Sequence, residues 1–121
     1  MPLYMAQFSY TPSALAALVK EPEDRSTVFR EHVEKLGGQV HAFYYCRGKY
    51  DGITIFEVPD ELTATAVTLA VSATGHLKEL DTIPLHTVEE AMEGMRKASE
   101  QAYKLPRAFR EEDLPFSPFG A

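Results

Sequence analysis

The chain has one cysteine, Cys46, in 121 residues, so no intramolecular disulfide can form, and a free thiol in a reducing compartment is the expectation. No apolar run approaches the roughly 18 residues that a membrane span needs. The N-terminus shows neither a basic region nor a long apolar core of the kind that marks a signal peptide. Positive charge is in deficit: 12 Lys and Arg stand against 18 Asp and Glu, for a net charge of −6. Phosphate contact needs a Lys/Arg surplus on at least one face, so neither a nucleic-acid partner nor an anionic membrane surface is expected. There is no Cys pair and no His-x-x-x-His spacing, and His76 and His86 have no partner at ligand spacing, which argues against a bound metal. Internal repeats and low-complexity tracts are missing as well. These absences describe a cytoplasmic, bacterial protein of one domain with no cofactor.

What is present is a legible order of elements. Hydrophobic residues make up 45% and charged residues 25%, which is enough to bury a core and ordinary for a globular chain. Tyr4 to Tyr10 alternates as a strand, and Thr11-Pro12 starts a helix whose apolar residues are Leu15, Leu18 and Val19. Glu21-Pro22-Glu23-Asp24 interrupts it. A second helix carries Phe29, Val33 and Leu36 on one side and stops at Gly37-Gly38. Two strand-like runs, Gln39 to Cys46 and Gly52 to Val58, flank the turn Gly48-Lys49-Tyr50-Asp51 and read as a hairpin.

Asp60 then caps a helix with Leu62, Ala66, Leu69, Ala70 and Ala73 at helical spacing, and Gly75 ends it. A fourth strand falls within His76 to Leu85, best at Leu80 to Leu85. Thr87-Val88-Glu89-Glu90 is a capping box opening a helix to about Tyr103, with Met92 and Met95 expected in the core. The spacing thus predicts a βαββαβ order with an extra C-terminal helix: residues 1–105 as one α+β domain, and 106–121 as a Pro- and Phe-rich arm that docks Phe116 and Phe119.

In this order the chain resembles the GYD-domain family of small bacterial proteins, over roughly residues 3 to 95. The residues that carry the resemblance are Tyr4 through Tyr10-Thr11-Pro12, Leu36-Gly37-Gly38, Ala42-Phe43-Tyr44, Gly48-x-Tyr50-Asp51, Pro59-Asp60, Thr82-x-Pro84-Leu85 and Glu89-Glu90-Ala91. The resemblance implies a ferredoxin-like sandwich that pairs sheet to sheet as a dimeric α+β barrel, and it implies no particular activity. The strands support the pairing independently. Val40, Ala42 and Tyr44 alternate with Phe43 and Tyr45, and Ile53 and Ile55 with Thr54, Phe56 and Val58, so both faces are apolar while one layer of helices covers only one. A homodimer, open to further assembly, is the expectation.

The candidate chemistry lies on the strands and the hairpin. Asp51 as base or acceptor and Tyr50 as acid or donor, with His41 and Tyr44, are the candidate acid–base residues. His41 is placed on one strand face with Phe43 and Tyr45. The competing reading of Tyr50 and Asp51 is structural, since Asp side chains tie up turns. Tyr4, Phe8, Tyr10 and Phe56 are the candidate lining of a pocket for a small hydrophobic or aromatic molecule. Two functions follow. One is a cofactor-independent enzyme of cyclase, isomerase, lyase or monooxygenase type; the other is a non-catalytic dimeric binding or assembly module.

Overall fold

The computed structural model describes residues 1–109. The order is β1 (Leu3–Tyr10), α1 (Pro12–Lys20), α2 (Arg25–Lys35), β2 (Gln39–Tyr45), β3 (Gly52–Glu57), α3 (Glu61–Ser72), β4 (Leu77–Leu85) and α4 (Val88–Glu100), followed by a 3-10 turn at Arg107–Phe109. The strands form one antiparallel sheet in the order β2-β3-β1-β4, the ferredoxin-like arrangement that the sequence predicts. Contacts divide the chain into two units, Met1–Leu85 with the sheet and α1 to α3, and the segment from His86 with α4. Phe116 and Phe119, expected to dock, lie outside the described residues.

Local chemistry sets the boundaries. Thr11 Oγ1 accepts the Ala14 N–H at 3.2 Å, with Pro12 entering the helix behind it. Asp24 accepts the N–H groups of Ser26 and Thr27, and Asp60 that of Thr63. Bonds from the Ser26, Thr27 and Thr63 hydroxyls first, and these backbone bonds second, hold both carboxyls below the usual range. The predicted capping box at Thr87 and Glu90 forms in both directions. At the end of α2, Gly37 takes φ 85°, and the N–H groups of Gly37 and Gly38 donate to the carbonyls of Glu34 and Val33. This Schellman turn brings the chain directly over the end of β3.

Val33, Phe56 and Val58 are fully buried, joined by Tyr4, Val40, Ala64 and Val67. Two helices differ from expectation. In α3 the buried residues are Ala64 and Val67, while Leu62 and Leu69 are exposed. The helix is apolar nearly all round, so spacing alone does not choose its inner face; the smaller side allows closer approach to the sheet. In α4 no residue is buried, and Met92 and Met95, expected in the core, are 47% and 66% exposed. Periodicity reports an amphipathic helix, not what covers it.

Two glycines test this packing. A Cβ on Gly38 would run into the Glu57 carbonyl and the Val33 and Val58 methyls, whereas one on Gly94 would meet nothing. Gly38→Ala is expected to lower stability by about 1–3 kcal/mol. Gly94→Ala is expected to raise the helicity of α4, by about 0.5–1 kcal/mol of helix stability. Urea unfolding and far-UV circular dichroism measure the two effects.

Candidate functional site

Period-two alternation places Tyr4, Ala6, Phe8 and Tyr10 of β1 on the helix-facing side of the sheet, beside Gly52, Thr54 and Phe56 of β3. β2 would follow the same rule but for a bulge between Val40 and Ala42. Val40 pairs with Phe56, while Phe43 and Tyr45 pair with Thr54 and Gly52, so all three face the helices. The extra residue turns His41 to the other side. Side chains satisfy the carbonyls flanking the bulge: Arg30 Nη1 donates to Val40 O at 2.9 Å and Thr54 Oγ1 to Ala42 O at 2.8 Å.

Helix and sheet do not fill the space between them. A cavity of about 540 Å³ lies between the inner face of the sheet and helices α1, α2 and α3. Its floor is aromatic: Phe8 and Phe43 have centroids 5.5 Å apart, and Phe29 stands edge-on to Phe56 at 5.5 Å. Gly52 is essential to that floor, because the Phe8 ring occupies the place a side chain would take. The helix side mixes small residues, Ala14, Ala17 and Thr68 among them, with larger ones such as Leu18 and Val71, and α1 has no buried residue at all. Polar side chains are interspersed, Tyr10, Thr54, Thr74 and His76 among them. The Thr68 and Thr82 hydroxyls bond each other at 3.0 Å, and Glu21, Glu23 and Arg25 line the more exposed part, where Arg25 is tied to Glu23 at 2.8 Å. His32 also lines the cavity, and its Nε2 is buried with no hydrogen-bond partner among the described residues.

Of the residues expected to bind substrate, Phe8, Tyr10 and Phe56 line this cavity. Tyr4 does not; it stacks on Phe56 at 5.9 Å inside the core. The four expected acid–base residues are not among the lining residues and are not brought together. His41, expected beside Phe43 and Tyr45, is carried away by the bulge and lies 3.6 Å from Glu57 Oε1. Tyr44 is 66% exposed.

Asp51 is a structural clamp. Its N–H donates to Phe8 O and its Oδ2 accepts the Tyr10 N–H, both at 2.8 Å, while Ser9 Oγ donates to Lys49 O at 2.9 Å. The Tyr50 hydroxyl donates to the Asp81 carboxylate on β4. His32 escaped the sequence reading, although Phe29, His32 and Val33 stand at i, i+3 and i+4, and so on one helix face.

Three tyrosines hold their protons tightly. The hydrogen bond to Asp81, with a smaller contribution from burial, pushes Tyr50 up to about 12. Burial and then the Tyr45 hydroxyl, 3.3 Å away, push Tyr10 up, and burial does the same to Tyr4.

The fold and cavity together define a ferredoxin-like α+β protein with a largely apolar cavity between its sheet and helices α1 to α3. The chain belongs to the GYD-domain family, whose model matches residues 4–95. No curated protein matches it. Among solved structures it is similar to one described as an antibiotic biosynthesis monooxygenase, at 14% identity and a TM-score of 0.45, over 73% of this chain and 99% of that one. Among the described residues there is no group of three or more acidic, His or Cys side chains placed to hold a metal ion, and no helix long and apolar enough to cross a membrane.

The raised phenols give a signed pH dependence. A phenol whose folded value exceeds its unfolded value, about 10, stabilises the fold fully below that pH. The contribution is lost as pH rises through the folded value. Tyrosinate absorbance is therefore expected to show Tyr50 ionising near 12. Asp81→Asn is expected to bring it down toward the ordinary range, and Tyr50→Phe to remove that step from the titration.

Proposed function

We propose that the protein is a small-molecule-binding protein that holds a predominantly apolar, aromatic-sized molecule between its sheet and helices α1 to α3, and works as a homodimer paired through the opposite face of the sheet. The observation that carries the reading is the cavity itself. At about 540 Å³ it falls within the range of roughly 300–1,000 Å³ typical of ligand sites, with a mostly apolar lining.

Binding is favoured over catalysis by His41, Tyr44, Tyr50 and Asp51, because acid–base chemistry needs its groups within reach of one molecule. The pairing rests on the outward residues Met5, Ile53, Ile55, Ile83 and Leu85, which stand half-buried or exposed in a single chain. A contiguous apolar sheet face of this kind marks an interaction surface, and a twofold dimer is the commonest way to cover it.

The neutral fluorophore N-phenyl-1-naphthylamine is expected to bind with a rise in emission. Ala17→Phe, which fills the cavity from α1, is expected to weaken binding tenfold or more; undiminished binding would remove the cavity as the site. For the pairing, sedimentation equilibrium at micromolar concentration is expected to show a dimer, and Ile55→Lys to give a folded monomer. A wild-type monomer at that concentration would refute the dimer.

A further inference from the structure

We infer that the molecule bound in the cavity carries a hydroxyl group and that His32 is the residue that selects it; the inference rests on the cavity reading above. His32 is a cavity-lining residue whose Nε2 is buried and has no hydrogen-bond partner among the described residues. Leaving such a group unsatisfied costs about 1–3 kcal/mol, so its persistence calls for a partner supplied from elsewhere. The ring lies on the last free turns of α2, between the Phe29 and Val33 positions that fix the helix against the sheet. Torsion about its ring bond is soft and roughly two-fold. Turning about that bond is the movement by which the cavity-lining imidazole would present Nε2 to a bound molecule.

Charge narrows the class of that partner. Three charged side chains line the cavity, Glu21, Glu23 and Arg25, and Arg25 is already paired with Glu23 at 2.8 Å. With the lining imidazoles of His32 and His76 neutral, the balance is one negative charge, on a chain whose net charge is −6. A carboxylate or phosphate ligand would enter against that field. A neutral hydroxyl does not, and it both donates and accepts, so it pairs with Nε2 whichever ring nitrogen carries the proton. The phenylalanine floor takes the remainder of the molecule, which makes the ligand class a neutral, flat, largely apolar alcohol or phenol.

Three probes of one shape test this: naphthalene, 2-naphthol and 2-naphthoate, each measured by competition with the neutral fluorophore. The wild-type protein is expected to bind 2-naphthol about tenfold more tightly than naphthalene, and 2-naphthoate more weakly than 2-naphthol. In His32→Leu the advantage of 2-naphthol is expected to vanish while naphthalene binding stays within about twofold; His32→Gln, which keeps a polar group, is expected to retain part of it. As a check independent of any substitution, the His32 ring ¹⁵N resonances of the wild-type protein are expected to shift with 2-naphthol and not with naphthalene. Equal binding of 2-naphthol and naphthalene, or an advantage that survives in His32→Leu, overturns the role of His32 and leaves the cavity reading standing. Tighter binding of 2-naphthoate overturns the neutral-ligand class. If no probe binds, the cavity reading falls and this inference with it.

Discussion

The structure turns on a mismatch in side-chain size across its two layers. The sheet offers large aromatic groups to the helices, while α1 and α3 answer with alanine, threonine and valine. Dense packing is the rule in protein interiors, and a void forfeits the contacts of every atom that lines it. At one end the mismatch is resolved: the Gly37-Gly38 turn lets the backbone close onto β3, and Val33, Val40, Phe56 and Val58 fill what remains. At the other end nothing resolves it. There Phe8 and Phe43 of the sheet line the cavity together with Ala14, Ala17 and Leu18 of α1.

The hairpin loop sets the shape of the floor at that open end. Asp51 bonds the backbone of β1 on both sides of Ser9, through Phe8 O and the Tyr10 N–H, next to the irregularity in the β1–β4 pairing. Tyr50 reaches across to Asp81 on β4. Together these bonds hold β1 to its neighbours just where its inward side chains are Phe8 and Tyr10. The tyrosine and aspartate that look most chemical in the sequence thus act on the cavity at a distance, by fixing the strand that carries its aromatic floor.

Much of the architecture is legible from spacing because each boundary has its own local chemistry. Thr11-Pro12, Leu36-Gly37-Gly38, Asp60 and the Thr87–Glu90 box each satisfy backbone groups that a helix end leaves free. The site is less legible, for two physical reasons. A bulge at His41 leaves no reliable mark in composition, yet one extra residue reassigns the faces on either side of it, separating His41 from Phe43. Then α3 shows that an apolar stripe is ambiguous when its rival faces are apolar too, since Leu62 and Leu69 lose to Ala64 and Val67, and α4 shows that a clear amphipathic stripe still does not report what covers it. His32 was within reach, since its position between Phe29 and Val33 puts an imidazole on a buried helix face. Whether it sits against packed atoms or a void depends on side chains from three other elements, which no single-helix pattern reports.

The opposite face of the sheet bears on the cavity because the same strands carry both. Met5 stands behind Ala6, and Ile53 and Ile55 flank Thr54, so the residues that would meet a second copy alternate with those that floor the cavity. A sheet with an unfilled space on one side and only half-buried residues on the other has less packing to oppose bending of β1 and β3. In the homodimer proposed here the outer face is covered, and the strands are held from behind at the points where the helix layer gives them least support. Pairing and binding then depend on one feature, an antiparallel sheet apolar on both sides, with one side reserved for a copy of itself and part of the other left open for a smaller guest.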